Sequence, residues 1–163
     1  MGTTLSILLV LPTVASSEVL TSEVAKLGAS DPAVEDQFGI SVSISGDVIV
    51  VGAYQDDDGG SESGSAYVLA RTDGGATWNE TAKLGASDPA VEDNFGRSVA
   101  ISDNVIVVGA FKNDHAGSDS GSAYVFATTD DGATWPQTAK LVASDAAEGD
   151  SFGYFVAISG DVI

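Results

Sequence analysis

The sequence predicts an all-β fold of tandem four-stranded units, of the β-propeller type, on three observations. It has an internal period of 57 residues, its apolar residues alternate or form short β-branched runs, and Gly, Asp and Asn fall where hairpins must turn. Ala25–Thr81 and Ala82–Thr138 align without a gap and match at 41 positions, and Ala139–Ile163 matches the start of the second unit at 16. A period of this length holding about four strands is what one propeller blade requires. Blades are expected to begin near Ala25, Ala82 and Ala139. The third unit stops at Ile163, inside a run equivalent to that around Ile49 and Ile106, and is expected to be an incomplete blade.

Each element follows from its own pattern. In Gly39–Ser45, Ile40, Val42 and Ile44 alternate with Ser41, Ser43 and Ser45, which predicts a strand with its apolar face buried. The third unit repeats this with Tyr154, Val156 and Ile158. Val48–Ala53 is apolar on both faces and suits the centre of a blade. Only Gly46-Asp47 separates the two, replaced later by Asp103-Asn104 and Gly160-Asp161; these residue types tolerate the positive φ of two-residue hairpins. The third strand is expected over Ser65–Arg71 and Ser122–Thr128, and the fourth over Thr77–Leu84 and Thr134–Leu141. Asp73-Gly74-Gly75 and Asp130-Asp131-Gly132 turn the chain between them.

Composition narrows the function. The chain has 24 acidic and 6 basic residues, a formal charge of −18, which repels phosphate backbones and anionic headgroups and so excludes nucleic acid and disfavours membrane surfaces. With 44% hydrophobic residues in organised runs it is a folding sequence, despite its acidity. Cysteine is absent, which removes disulfides and thiolate chemistry. Leu5–Val14 is a short apolar run followed by Ala15, Ser16 and Ser17, the pattern of a secretory signal over residues 1–17, although no Lys or Arg precedes it. An apolar N-terminal strand is the other reading. Residues 18–163 then form the partial propeller, and the expected location is secreted or cell-surface.

Phe38-Gly39, Phe95-Gly96 and Phe152-Gly153, each followed by Ser-Val-Ser-Ile-Ser or a variant, then Val-Gly-Ala and Gly-Ser-Ala-Tyr-Val, resemble the FG-GAP repeat of integrin α-subunit propellers and related secreted proteins. The resemblance covers nearly everything after Ala25 and implies the propeller fold. In this chain Tyr54 and Phe111 stand where the family's Gly-Ala-Pro has its Pro. Many integrin-type repeats carry an Asp-x-Asp-x-Asp-Gly calcium loop between two strands, but that place holds only Gly46-Asp47, so the resemblance does not bring calcium with it. Residues 71–78 and 128–135 resemble the Asp-box turn, in which the Asp accepts backbone N–H bonds and Trp78 and Trp135 anchor the core.

Candidate sites are few. The loop Asp56-Asp57-Asp58-Gly59-Gly60-Ser61-Glu62 offers hard oxygen ligands, and Asp56, Asp58 and Glu62 could hold a weak Ca²⁺; a solvated turn is the alternative. Its counterpart from Asn113 to Asp119 keeps fewer carboxylates. Asn79-Glu80-Thr81 is a glycosylation sequon. The single His115 sits in a Gly- and Ser-rich loop and reads as solvated. A sialidase-like hydrolase would need an arginine cluster, and only Arg71 and Arg97 are present, so no catalytic residues are assigned. The expected function is a non-catalytic binding or adhesion module for a protein or glycan, with a structural envelope or matrix array as the alternative. Open blade edges are expected to favour self-association.

Overall fold

The computed structural model describes residues 5–7, 25–71, 77–160 and 162–163. Most of the signal-like run and the segment 72–76 lie outside the described residues. Every regular element in the description is a strand: β1 (Leu5–Ile7), β2 (Ala25–Leu27), β3 (Val42–Ser45), β4 (Val48–Ala53), β5 (Ser65–Ala70), β6 (Asn79–Leu84), β7 (Phe95–Ser102), β8 (Val105–Ala110), β9 (Ser122–Ala127) and β10 (Gln137–Leu141). They form two four-stranded antiparallel sheets, β3-β4-β5-β6 and β7-β8-β9-β10, and a two-stranded sheet β1-β2. Each four-stranded sheet is one blade, joined in simple up-and-down order. The two-residue hairpins are present, with φ of +56° at Gly46 and +47° at Asp103.

The blades begin later than Ala25 and Ala82 suggest. Ala82 and Leu84 pair with Val68 and Ala66, so they belong to the last strand of the first blade. The third unit does not build the strand expected around Tyr154, Val156 and Ile158. Bridges join Gly121 to Phe152 and Ser159 to Val162. In the earlier units the equivalent strand, β3 or β7, pairs with a six-residue central strand, β4 or β8.

The two blades stack face to face. Cross-strand partners share a face, so Val50, Ala66, Val68 and Leu84 form one side of the first blade. That side packs against Phe95, Val99, Ile101, Ile106, Val108, Tyr124 and Phe126 of the second. The opposite side of the first blade, with Ile49, Val51, Ala53, Tyr67 and Leu69, is covered by Leu27 and Phe38. Burial of this size is the main driving force for the fold.

The inner strand β3 corrects the sequence reading. Ile40, Val42 and Ile44 are 40%, 39% and 48% exposed, while the serine face turns toward the second blade. The Oγ atoms of Ser41, Ser43 and Ser45 accept hydrogen bonds from the backbone N–H groups of Val99, Ile101 and Asp103, at 3.0, 3.1 and 3.0 Å. These donors lie on the side of β7 that has no neighbouring strand, and the serines satisfy them. Ser98 repeats the contact with Val156 N–H at 3.0 Å.

The Phe-Gly pairs hold consecutive blades together. Phe38 and Phe95 are buried, and Phe152 is half-buried. Phe95 packs edge-on against Tyr124 and Phe126. Gly96 has φ +89°, and a Cβ there would meet the Ser65 carbonyl oxygen at 2.2 Å. Only glycine permits both the conformation and the approach. Gly39 and Gly153 share the positive φ, at +94° and +83°.

Candidate functional site

The β4–β5 loop carries the densest set of carboxylates, and pairing of β5 with β6 sets what lies beneath it. Tyr67 is the cross-strand partner of Lys83, so both rise on the same face toward the loop. The Lys83 ammonium lies 5.1 Å from the Tyr67 ring centroid and donates to Asp31 at 2.6 Å, Asp56 at 3.0 Å and Asp58 at 2.5 Å. The Tyr67 hydroxyl sits 2.8 Å from Asp31 and 3.0 Å from Asp56, its single proton shared between two acceptors. Asp56 is buried, and its other oxygen accepts from Ser65 Oγ at 2.7 Å and Asp58 N–H at 3.2 Å.

Charge pairing governs protonation here. The Lys83 ammonium, hydrogen-bonded to Asp31, holds that carboxyl below the usual carboxylate range. Burial pushes Lys83 down, but its hydrogen bonds to Asp31, Asp58, Tyr67 and Asp56 outweigh this and hold it above the ordinary lysine value. Burial raises the Tyr67 phenol. All three carboxylates thus face a permanent cation.

Asp31, Asp56 and Asp58 bring their oxygens within 4.8 Å of one another, a spacing that suits a metal ion. The site does not fit calcium as it stands, because the Lys83 ammonium already fills the position a cation would take. The hairpin where integrin-type repeats hold the ion fits no better. Its lone carboxylate, Asp47, is engaged by Arg71.

The second blade builds a reduced version. Lys140 donates to Asp88 at 2.7 Å and the Tyr124 hydroxyl to the same carboxylate at 2.9 Å. Burial pushes Asp88 up, but these bonds from Lys140 and Tyr124 prevail and leave it below its ordinary value. Asn113 stands where Asp56 does. Its amide accepts from Ser122 Oγ at 2.8 Å and donates to buried Asp93 at 3.0 Å. Burial raises Asp93. His115 stands where Asp58 does and is exposed.

Glu62 is not part of this cluster. Its N–H donates to Asp57 at 2.7 Å, and the residue lines a separate cleft with Val34, Glu35, Gln55, Asp57 and Ser61. The loop end from Ser61 to Ser63 clasps the next blade: the carbonyls of Ser61, Glu62 and Ser63 accept from the N–H groups of Glu92, Asn94 and Phe95 at 2.8, 3.1 and 3.0 Å. Ser118, Asp119 and Ser120 hold Gly149, Ser151 and Phe152 in the same way. Glu62 and Asp119 take φ of +52° and +53° to present these carbonyls.

The remaining sequence-derived residues fall as follows. Asn79 is exposed at the start of β6, where its side chain is open to solvent. Trp135 is buried between the blades, and the half-buried Trp78 packs on the far side of the first blade beneath Arg71. Asp130 holds its turn by accepting from Thr128 Oγ1 at 2.6 Å and from Thr134 N–H and Oγ1 at 2.9 and 2.7 Å; these bonds lower its carboxyl to about 2. Sequence reasoning missed Asp31, Tyr67 and Lys83. A signal was present, since the Asp recurs as Asp88 and Asp145 and the Lys as Lys140, in a chain with only 6 basic residues.

The model of the FG-GAP repeat matches residues 21–69, 78–126 and 135–163, more than half of the chain and with the spacing found in the sequence. The chain belongs to the FG-GAP repeat family. FG-GAP repeats are generally non-catalytic binding or structural modules. The Phe-Gly pairs and the loop clasp of this FG-GAP chain give the family signature a physical role, since both lock one blade to the next. No curated protein matches the chain.

Proposed function

We propose that this FG-GAP chain is an extracellular or cell-surface module that binds a protein or glycan ligand in adhesion, without catalysis. The observation that carries this reading is Lys83. The densest carboxylate group among the described residues is tied together by an internal ammonium and a buried tyrosine, so its members are committed to holding loop and blade together. General acid–base chemistry would need one of them free to exchange a proton near neutrality. Family membership supports the same reading, because such repeats are often used in binding and adhesion. No helix among the described residues is long and apolar enough to cross a membrane.

Location and binding are tested together. Intact source cells are labelled with a membrane-impermeant amine reagent, and purified chain is titrated onto the same cells. Surface labelling and a saturable isotherm are expected. A chain found only in the cytosol, or one whose cell association never saturates, would overturn the proposal. Peptide mass spectrometry across Asn79 on native material adds a second check, with a glycan expected there.

A further inference from the structure

Trp135 is the one buried side chain among the described residues whose polar atom goes unanswered. Its indole Nε1–H has no hydrogen-bond partner, although the residue is only 7% exposed. A donor left in this state has lost its water and gained nothing in return. The turn beneath the ring has no acceptor to spare. Thr128 Oγ1 donates to Asp130 at 2.6 Å and accepts from the Gly132 N–H at 3.0 Å, while the Asp130 carboxylate also takes both donors of Thr134.

The same ring is one wall of a cleft of about 340 Å³ at the seam between the blades. Across it, Val48, Val68 and Ala70 of the first blade face Gly132, Ala133 and Trp135 of the second. A Cβ at Gly132 would lie 3.7 Å from Cζ2 and 3.9 Å from Nε1 of the indole, which puts the N–H edge of the ring at the glycine wall. The polar members of the lining are Thr81, whose hydroxyl donates to the Val68 carbonyl at 3.4 Å, and the exposed Asp131. A wall so poor in partners holds water badly, since a buried water makes roughly two to four hydrogen bonds. The space suits an organic molecule, given that an apolar cavity of about 150 Å³ is enough to take up benzene.

We propose that this cleft binds a small neutral molecule whose carbonyl oxygen accepts the Trp135 Nε1–H bond while its apolar body fills the space against Val48, Val68 and Ala70. The indole N–H is a donor only, so the ligand must bring an acceptor, and an ammonium would find none in it. An anion is disfavoured by the carboxylate of Asp131 and by the chain's charge of −18, with no lysine or arginine among the described residues of the lining. An alcohol would carry a second proton into a wall of Val and Ala, whereas a carbonyl answers a lone donor and leaves nothing unpaired. The cleft stands apart from the surface binding proposed above and holds or fails independently of it.

The whole chain, labelled with ¹⁵N, gives an NMR cross-peak for each of its 2 indole N–H groups; Trp78→Phe assigns them, and Trp78 serves as the internal control. Titration with camphor, a compact bicyclic ketone, is expected to move the Trp135 Hε1 resonance downfield in a saturable way and to leave Trp78 in place. Camphene, a similar bicycle with a methylene in place of the carbonyl, should bind at least about tenfold more weakly. Trp135→Phe keeps an aromatic wall and removes the donor, so calorimetry on this variant should find the two compounds within about twofold of each other. Ala133→Leu, at an exposed position, narrows the cleft with the indole intact and should lose camphor binding; thermal melts confirm that each variant folds. A Trp135 resonance that stays unmoved up to the solubility limit of camphor would overturn the site. Equal affinity of the parent chain for camphor and camphene would overturn the carbonyl assignment, and a Trp135 N–H that exchanges with solvent as fast as an exposed indole would reduce the cleft to hydration only.

Discussion

Lys83 concentrates the energetics of the first blade, since it answers three carboxylates while burying its stem beside Tyr67. Of its carboxylate partners only Asp56 is buried, Asp31 and Asp58 being 45% and 68% exposed, so removing the ammonium costs about 1–3 kcal/mol, most of it from the Asp56 charge left without a cation. Lys83→Met is expected to lower stability by an amount of this order, read by chemical denaturation, and to open the Asp31, Asp56 and Asp58 oxygens to a cation. Added calcium should then raise the variant's melting temperature while leaving the parent chain nearly unmoved. A calcium response of equal size in both would show that Lys83 does not hold the site.

Asp31 and Asp88 have a pH dependence opposed to that of Asp93. Asp31 and Asp88 titrate below their ordinary range in the folded chain. Their contribution is therefore complete above the unfolded value of about 3.9 and is lost as pH falls through the lower folded values. Asp93 is raised by burial, so it opposes folding as pH climbs through its folded value. Asp93→Asn keeps an acceptor for Asn113 and Ala90 and removes the buried charge. It is expected to raise the melting temperature at pH 7 and to have a smaller effect at pH 4, measured by thermal denaturation; destabilisation at pH 7 would contradict this balance.

At the level of elements, the same residue in two equivalent strands has two environments. Ile44 in β3 is 48% exposed and Ile101 in β7 is 6% exposed, because only β7 has a blade packed over that face. Ile101→Ala should cost about 2–4 kcal/mol as a core truncation, and Ile44→Ala less than about 1 kcal/mol. Urea denaturation of the two variants gives the comparison, and equal losses would refute the face-to-face stacking. The alternation of Ile, Val and Ser in β3 was legible as a strand. Which face is buried was not, because serine Oγ atoms can cap the free N–H groups of a neighbouring strand as readily as they can meet water.

For the whole molecule, the exposed Ile40, Val42 and Ile44 face matches the face that is covered in the second blade. Apolar strand faces left open promote association. The chain is expected to associate with rising concentration, and Val42→Lys with Ile44→Lys should shift it toward monomer by light scattering. A parent chain that stays monodisperse at every concentration would remove this role from the face.

The sequence by itself determined the repeat, the four strands per unit, the hairpin turns and the Phe-Gly and Trp anchors, because each rests on local periodicity or on a conformation that few residues can adopt. Tertiary structure alone decided where a blade begins, that Glu62 presents its carbonyl to the next blade and lies apart from the carboxylates of Asp56 and Asp58, and that Asp31 and Lys83 complete the group around Asp56. It also set Trp135 against Val48 and Val68 of the first blade. These last arrangements join residues from different strands and units, and strand pairing and blade stacking bring them within ångströms of one another although they lie tens of residues apart in the chain.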